Sequence, residues 1–295
     1  MQGRVITAYG RHFMVKLSDG TIRQSYMKGK KTGVCVGDYV RIALQGDEEA
    51  RIEEVLERQN LLYRSDEMRS KQFAANVDQL LIVVAVQPTF ADDLLSRAIV
   101  GARSAHIEPI ILLNKVDLAE DYPQAKERLS IYAKLGIPII ETSTLDADNL
   151  KAQLLPLLQD KTSLLLGQSA MGKSSILNVL VPEAKAHTQE YSIALGTGKH
   201  TTTTTSLYTL PDIQGYLIDS PGFQSFGLRH LEQSEVALGF PEFSEFIDQC
   251  KFYNCTHLHE PGCGVLRALN EGIISQKRHE MYERILLECT APERY

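Results

Sequence analysis

The stretch from Gly167 to Ser174, GQSAMGKS, fits the pattern GxxxxGK[ST] of a phosphate-binding loop. Glycines let backbone N–H groups turn toward phosphates, and a helix N-terminus behind the loop adds a favourable dipole. In this pattern Lys173 reaches the β- and γ-phosphates and the Ser174 hydroxyl coordinates Mg²⁺. The alternative is a glycine-rich turn without a ligand. The predicted phosphate-binding residues are Gly167, Gln168, Ser169, Ala170, Met171, Gly172, Lys173, Ser174 and Ser175.

A second motif, NKVD, ends an apolar stretch well before the phosphate loop. A carboxylate at Asp117 can accept hydrogen bonds from guanine N1–H and the 2-amino group, whereas adenine offers neither donor. The segment IIETST resembles the ETSA element of small GTPases, whose backbone N–H meets guanine O6, and we carry over only this backbone role. The predicted guanine-binding residues are Asn114, Lys115, Val116, Asp117, Ser143 and Thr144.

The sequence DSPG, which ends a predicted strand, fits the DxxG element of a GTPase. Asp219 would hold Mg²⁺ through water, and the Gly222 N–H would face the γ-phosphate. The preceding GKHTTTTTS is expected to be the first switch, and its alternative is a threonine-rich loop without such a role. One of three threonines would ligate Mg²⁺: Thr201, Thr202 or Thr203.

Phe223 follows DxxG, at the position where small GTPases place a glutamine that orients the attacking water. An apolar ring cannot orient water, so we expect slow intrinsic hydrolysis and a partner that reorganises the switches. His200, in the first switch, is the candidate for positioning water. A surface histidine in a loop is the alternative.

The order of these motifs is unusual. It runs guanine, guanine, phosphate loop, first switch, second switch, whereas a Ras-like domain begins with the phosphate loop. Joining the old ends and cutting after DxxG interconverts the two orders, and such a permutation can preserve the packing. We therefore predict a circularly permuted P-loop GTPase whose chain leaves the domain directly after the second switch.

A cysteine-rich stretch, CKFYNCTHLHEPGC, supplies Cys250, Cys255, His257 and Cys263, with His259 as a rival ligand. Three thiolates and one imidazole satisfy a closed tetrahedral Zn²⁺ site, so we predict one structural zinc. Reduced free thiols are the alternative. We also expect the zinc to hold together a region that otherwise lacks a core.

Three regions must position these residues. Residues 1–66 contain five short strands between Gly- and Asp-containing turns, which suits a small β-barrel of the OB type. Residues 67–225 alternate apolar strands with helix-length segments, which predicts a mostly parallel α/β sheet. Residues 226–295 show no strand pattern and end in a helical stretch near 276–289, so we expect a mainly α zinc-binding region.

The loop from Arg23 to Lys31 carries four basic residues and no acid. It is either a solvated hairpin tip or a site for the phosphates of RNA. The candidate RNA-binding residues are Arg23, Lys28, Lys30 and Lys31.

The chain of 295 residues has a net charge of −6 and 43% hydrophobic residues, which is typical of globular proteins. The charge argues against a uniformly basic nucleic-acid coat. No run approaches ~18 apolar residues, so we expect no membrane span. The N-terminal segment lacks an apolar signal core, which predicts a cytoplasmic protein.

With these motifs, the chain resembles the RsgA (YjeQ/YloQ) family of ribosome small-subunit-dependent GTPases. The resemblance rests on the barrel, RQNLLYR, NVDQLLIVVAV, NKVD, GQSAMGKSS, GKHTTT, DSPGF and the Cys-x4-Cys-x-His-x5-Cys cluster. Lys199 replaces the usual arginine, and Ala170 and Met171 replace the usual Gly-Val of the phosphate loop.

The resemblance implies an enzyme that hydrolyses GTP to GDP and phosphate as a late maturation checkpoint on the small (30S) subunit, which stimulates it. It implies contacts of the barrel and zinc region with 16S rRNA, and it assigns zinc to His257 over His259. We expect the protein to act as a monomer. The alternatives are an RNA-binding module that nucleotide only regulates and an ATP-dependent RNA-modifying enzyme, and NKVD argues against ATP.

Overall fold

The structure of the chain is a computed structural model that describes residues 1–27, 33–46, 48–65, 70–184, 205–220 and 228–290. Its N-terminal part forms five strands. Strand β1 pairs with both β2 and β4, β3 pairs with both β2 and β5, and β4 pairs with β5, so the strands close on themselves. This is the small barrel that the sequence predicted. The strands are β1 (Gln2–Tyr9), β2 (His12–Leu17), β3 (Ile22–Met27), β4 (Tyr39–Gln45) and β5 (Glu49–Val55).

The side chains of the barrel strands pack into two different cores. One set of side chains, including Val5, Phe13 and Ile42, fills the barrel interior. Ile6 and Met14 instead join the large core of the central sheet. The register of β1 against β2 shifts between Val5 and Thr7, and a β-bulge of this kind re-aims the side chains that follow it.

A two-stranded hairpin connects the barrel to the central sheet. Its strands are β6 (Leu61–Ser65) and β7 (Ser70–Ala75), which pair antiparallel. The sequence pattern did not predict this hairpin. Buried Leu62 and Ala74 place it against the large core.

The central region has the predicted βα alternation. Strands β8 to β11 run parallel because a helix after each strand returns the chain to the same edge of the sheet, and β13, which the chain enters from antiparallel β12, is parallel to β11. Strands β8, β9 and β11 are almost wholly buried, as expected for strands covered on both faces, whereas β10 and β13 are partly exposed. The elements are β8 (Gln79–Ala85), α1 (Asp92–Ser104), β9 (Glu108–Asn114), α2 (Tyr122–Lys134), β10 (Ile139–Thr142), α3 (Ala147–Leu158), β11 (Thr162–Gly167), α4 (Lys173–Leu180), β12 (Ser206–Thr209) and β13 (Tyr216–Asp219).

The sheet does not stop at the central region. Its strand order is β10-β9-β8-β11-β13-β12-β1-β2-β3-β5-β4, so antiparallel β12 lies between β13 and barrel strand β1. The β12–β1 contact is a short one, with Ser206 opposite Thr7. Barrel and central sheet are therefore joined edge to edge.

The described C-terminal residues, 228–290, are helical and contain no strand. The predicted C-terminal helix is confirmed as α8 (Gln276–Thr290). The other helices are α5 (Gln233–Leu238), α6 (Ser244–Ile247) and α7 (Gly264–Asn270), with a 3₁₀ turn over Pro241–Phe243.

The expectation that this region lacks a core without zinc was wrong. Phe240, Phe243, Tyr282 and Ile285 are each at most 1% exposed and belong to the same core as the central sheet. The polar residues between them in sequence hid this packing. Within the described ranges, none of the helices has both the length and the apolar character needed to cross a membrane.

Candidate active site and metal centre

The nucleotide motifs meet at one edge of the central sheet. Asn114, Thr142, Gly167 and Asp219 are the last residues of β9, β10, β11 and β13. Because these strands run parallel, their carboxyl ends lie together, where α/β sheets place their ligands. Motifs that are far apart in sequence, and in permuted order, thus form one site.

The phosphate loop connects β11 to α4 with a tight backbone. Gly172 precedes the helix with φ +93°, and a Cβ there would lie 2.1 Å from Asn114 Nδ2, so only glycine fits. Ala170 also has a left-handed φ of 65°, a conformation that glycine adopts without the steric cost alanine bears. Ser169, Ser174 and Ser175 are exposed along the rim of the loop.

The guanine motif braces the phosphate loop. The side chain of Asn114 donates from Nδ2 to the Met171 carbonyl at 2.9 Å. Lys115 donates from Nζ to the carbonyls of Ala170 and Gln87, both at 2.8 Å. Because Asn114 is fully buried, these bonds hold the loop in one shape. Asn114 and Lys115 therefore act on the phosphate loop, a role that their spacing in sequence did not reveal.

Asp117 is oriented by the neighbouring loop. Ser143 donates a short hydrogen bond from its hydroxyl to the Asp117 carboxylate. Asp117 remains exposed, so the carboxylate can meet a base. Ser143 and Thr144 directly follow β10, and the backbone N–H of Val116 donates to the Thr142 carbonyl at 3.3 Å.

Lys173 and Asp219 form an ion pair at the centre of the site. Lys173 is 9% exposed, and burial raises the pKa of the Asp219 carboxyl while Lys173 opposes that rise. The carboxylate thus depends on a nearby positive charge. Asp219 and Ser174 offer the oxygen ligands that Mg²⁺ prefers, and Lys173, which adjoins Ser174, brings them to the same end of α4.

The phosphate loop also contacts helix α1. Gln168 accepts a hydrogen bond at its Oε1 from the backbone N–H of Ala91, at 2.9 Å. Ala91 immediately precedes α1, whose first-turn N–H groups lack partners within the helix. The loop is therefore tied to the start of a helix that packs against the C-terminal region. The pattern GxxxxGK[ST] leaves this position unspecified, so the sequence carried no signal for it.

The four predicted zinc ligands lie together. Their ligand atoms are all within 4.8 Å of one another. Cys250 Sγ is 3.8 Å from Cys263 Sγ and 3.6 Å from His257 Nδ1, which is 3.4 Å from Cys263 Sγ. Tetrahedral zinc with Zn–S bonds of about 2.3 Å needs ligand separations of about 3.8 Å, so the cluster fits one zinc ion.

The surroundings of the cluster suit thiolate ligands. Burial raises the pKa of the Cys255 thiol to about 12, and a bound dication reverses this effect because a coordinated thiol loses its proton. The backbone N–H groups of Gly264 and Leu266 donate to Cys250 Sγ and Cys263 Sγ, each at 3.4 Å.

Histidine and glutamate contacts fix the shape of this loop. His257 has a φ of 61°, and its carbonyl lies 2.7 Å from His279 Nε2. Glu260 accepts hydrogen bonds from the backbone N–H groups of Thr256 and Leu258, at 2.8 and 3.2 Å. His259, the rival ligand, is exposed and lies outside the cluster.

Several predicted residues fall outside the described residues. They are His200, Thr201, Thr202, Thr203 and Gly222 of the switches, and Lys28, Lys30 and Lys31 of the basic loop. Arg23 is described and lies on β3. Cys35 and Cys289 lie apart from the metal cluster, and each contacts neighbouring polar atoms.

The sequence model of the RsgA GTPase family matches residues 55–229. A protein of Bordetella pertussis named small ribosomal subunit biogenesis GTPase RsgA is 58% identical over 294 residues, covering 100% of this chain and 98% of that protein. A Burkholderia pseudomallei protein of the same name is 50% identical, covering 98% of this chain and 92% of its own length.

Two solved structures match nearly the full chain at 30% identity. YjeQ from Thermotoga maritima has a TM-score of 0.75 and covers 99% of both chains. YloQ, described as a circularly permuted GTPase, has a TM-score of 0.71 and covers 100% of this chain and 96% of its own. The permuted order of the site, the barrel before it and the Cys3His cluster after it agree with these matches, and the chain belongs to the RsgA GTPase family.

Proposed function

We propose that this chain hydrolyses GTP to GDP and phosphate on the small (30S) ribosomal subunit, as a checkpoint late in its assembly. The observation that carries this proposal is the assembly of Asn114, Asp117, Lys173 and Asp219 at one sheet edge despite the permuted order. The printed names of the relatives, small ribosomal subunit biogenesis GTPase RsgA, support the subunit as partner.

Each part of the site has a separate task in this reaction. Asp117 selects guanine, and the phosphate loop holds the phosphates with its N–H groups. Lys173 would leave Asp219 for the β- and γ-phosphates, which carry more negative charge. Ser174, Asp219 and one of Thr201, Thr202 and Thr203 would hold Mg²⁺, which neutralises charge that develops between the phosphates.

The step that attacks the γ-phosphate needs a positioned water. Phe223 stands where a glutamine would orient it, so intrinsic hydrolysis is slow and the subunit completes the site. We propose that His200 positions the attacking water and that the Gly222 N–H donates to the γ-phosphate. The His200→Ala variant should lose most subunit-stimulated turnover while it retains GTP affinity. Unchanged stimulated turnover would remove His200 from the mechanism.

We propose that Cys250, Cys255, His257 and Cys263 bind one structural zinc. Metal analysis of the purified protein should find one zinc per chain. Cys263→Ser should lower this content sharply, whereas His259→Ala, which changes the nearby exposed histidine, should not. Equal loss in both variants would contradict the assigned ligand set.

We further propose that residues 1–66 act as an RNA-binding barrel, 67–225 as the GTPase and 226–295 as the zinc-binding region of a cytoplasmic monomer. Arg23, Lys28, Lys30 and Lys31 would contact 16S rRNA phosphates. Such contacts release counterions, so subunit affinity should fall with salt, and replacing these residues with alanine should flatten that dependence.

The proposal is tested by GTP turnover of the purified protein with and without mature small subunits. We expect the small subunit to raise kcat and the large subunit, as a matched ribosomal control, to leave it unchanged. Equal turnover in all three samples would refute the small subunit as the activating partner.

A further inference from the structure

A row of three paired residues crosses from the barrel into the active site. Thr7 on β1 lies opposite Ser206 on β12, and Ser206 lies opposite Asp219 on β13. Directly opposite residues of antiparallel strands point to the same face, with Cβ atoms about 5 Å apart. The two hydroxyls and the Asp219 carboxylate therefore share one face of the sheet.

Both hydroxyls are buried without a hydrogen-bond partner. Thr7 is 0% exposed and Ser206 is 3% exposed. Among the described residues, neither side-chain oxygen has a partner within hydrogen-bond distance. A buried polar group without a partner is costly, so two of them in adjacent strands require an explanation.

Asp219, the last residue of the row, loses its ion-pair partner during the proposed reaction. Asp219 is paired with Lys173, which directly precedes Ser174 at the start of α4. When phosphates draw Lys173 away, the carboxylate needs new donors, and a hydroxyl on the same face of the adjacent strand can supply one.

We propose that Ser206 and Thr7 are positioning residues for the carboxylate that serves Mg²⁺. Once Lys173 turns to the phosphates, the Ser206 hydroxyl donates to Asp219, and the Thr7 hydroxyl donates to Ser206 Oγ. This inference rests on the proposed function, because it assumes that Asp219 serves Mg²⁺ with GTP. It makes a barrel strand part of the nucleotide site.

The position of Thr7 depends on the barrel. The register shift in β1 falls between Val5, which packs inside the barrel, and Thr7. Ile6, within that shift, packs in the central core. A displacement of the barrel by a bound partner would therefore move the start of the row.

The test is the Mg²⁺ dependence of binding of a fluorescent, non-hydrolysable GTP analogue to the full chain. Ser206→Ala should raise the half-saturating Mg²⁺ concentration about tenfold, the loss of one charge-assisted hydrogen bond. Thr7→Val, which keeps the shape but not the hydroxyl, should raise it about threefold, since it acts through Ser206. Thr7→Ser, which keeps the hydroxyl, should match the wild type.

The double variant separates a positioning role from a structural one. Adding Thr7→Val to Ser206→Ala should have no further effect on the Mg²⁺ requirement, and the thermal midpoint of each variant should not fall. If Ser206→Ala binds GTP normally and shows an unchanged Mg²⁺ dependence, the positioning role of Ser206 and Thr7 is refuted. A wild type that binds the analogue but is not stimulated by subunits would instead refute the proposed partner and leave the row standing.

Discussion

The central sheet is joined to the barrel through the short β1–β12 pairing, whereas the C-terminal region is joined to it through helix α8, which packs against α1. At the barrel junction the hydroxyls of Thr7 and Ser206 have no hydrogen-bond partner within the described part of the chain, and a cavity of about 370 Å³ is lined in part by Ile6, Leu207 and Tyr208. Atoms that line such a cavity make fewer van der Waals contacts than atoms in a packed core, so this junction is less tightly packed.

The C-terminal side of the helical junction is packed and charge-paired, and Arg278 also reaches α1 by donating from Nη1 to Ser96 Oγ at 3.3 Å. Phe243 and Tyr282 rings lie 4.9 Å apart, and the guanidinium of Arg278 lies 4.4 Å from the centre of the Phe240 ring. Arg278 donates to Glu242 at 2.6 Å, with side chains only 2% and 10% exposed.

Helix α1 carries a second set of contacts with α8. Arg97 pairs with Glu288 at 2.6 Å, and Asp93 pairs with Arg284 at 3.3 Å. Since Gln168 of the phosphate loop also binds the start of α1, the phosphate loop and the C-terminal region both contact this helix. The difference indicates that the C-terminal region is held to the GTPase by more buried and charged contacts than the β1–β12 pairing supplies to the barrel.

The largest expected effect is on the packed side, in Arg278→Ala. The change leaves Glu242 buried without its partner, so the free energy of unfolding should fall by about 3–5 kcal/mol, measured by denaturant titration. Arg284→Ala, whose side chain is 61% exposed, should cost at most about 1 kcal/mol. Similar losses in the two variants would contradict the packed character of this junction.

A smaller effect is expected on the barrel side, in Arg4→Ala. Arg4 donates to Thr162 Oγ1 at 2.8 Å and to the Gly37 carbonyl at 3.3 Å, and it lies between the rings of Tyr39 and Tyr216. Losing these contacts should cost about 1–3 kcal/mol in unfolding free energy, by the same titration. The exposed control is Arg41→Ala, which should change little. If Arg4→Ala lowered the free energy of unfolding more than Arg278→Ala does, the barrel junction would be the stronger of the two, contrary to this account.

The smallest effect is expected where the hairpin meets the C-terminal region. The His230 ring lies 4.8 Å from Tyr63, and burial lowers its pKa below the ordinary 6.5, against the opposing charge of Glu235. The folded state favours the neutral His230 ring. The contribution of this ring to the free energy of unfolding is therefore complete above pH 6.5 and is lost as pH falls through the lowered pKa. The unfolding free energy of wild type should therefore fall more steeply below pH 6.5 than that of His230→Gln. Parallel pH profiles would contradict this.

Much of the site was predictable because its chemistry is local in sequence. The phosphate loop and NKVD each lie within eight consecutive residues, and the ends of apolar strands place them at one edge. The cysteine-rich stretch was predicted for the same reason, and the family resemblance assigned His257 over His259. Exposure separates His257 from His259, which sequence spacing alone left as rivals.

The rest depends on pairings between distant residues. The Arg278–Glu242 pair, the Gln168–Ala91 bond and the row from Thr7 to Asp219 each join elements whose separation gives no pattern. The β6–β7 hairpin escaped prediction because its strands lack a clear apolar alternation. The core around Tyr282 escaped because its members are scattered among charged residues.

The most direct test of the central claim is the nucleotide preference of Asp117→Asn in the presence of small subunits. The amide cannot accept both guanine donors but can donate to the 2-oxygen of xanthine. Subunit-stimulated kcat/KM should fall by about 10²- to 10⁴-fold for GTP and rise for xanthosine triphosphate. Retained preference for GTP in this variant would contradict the assignment of the permuted motifs as the GTPase site.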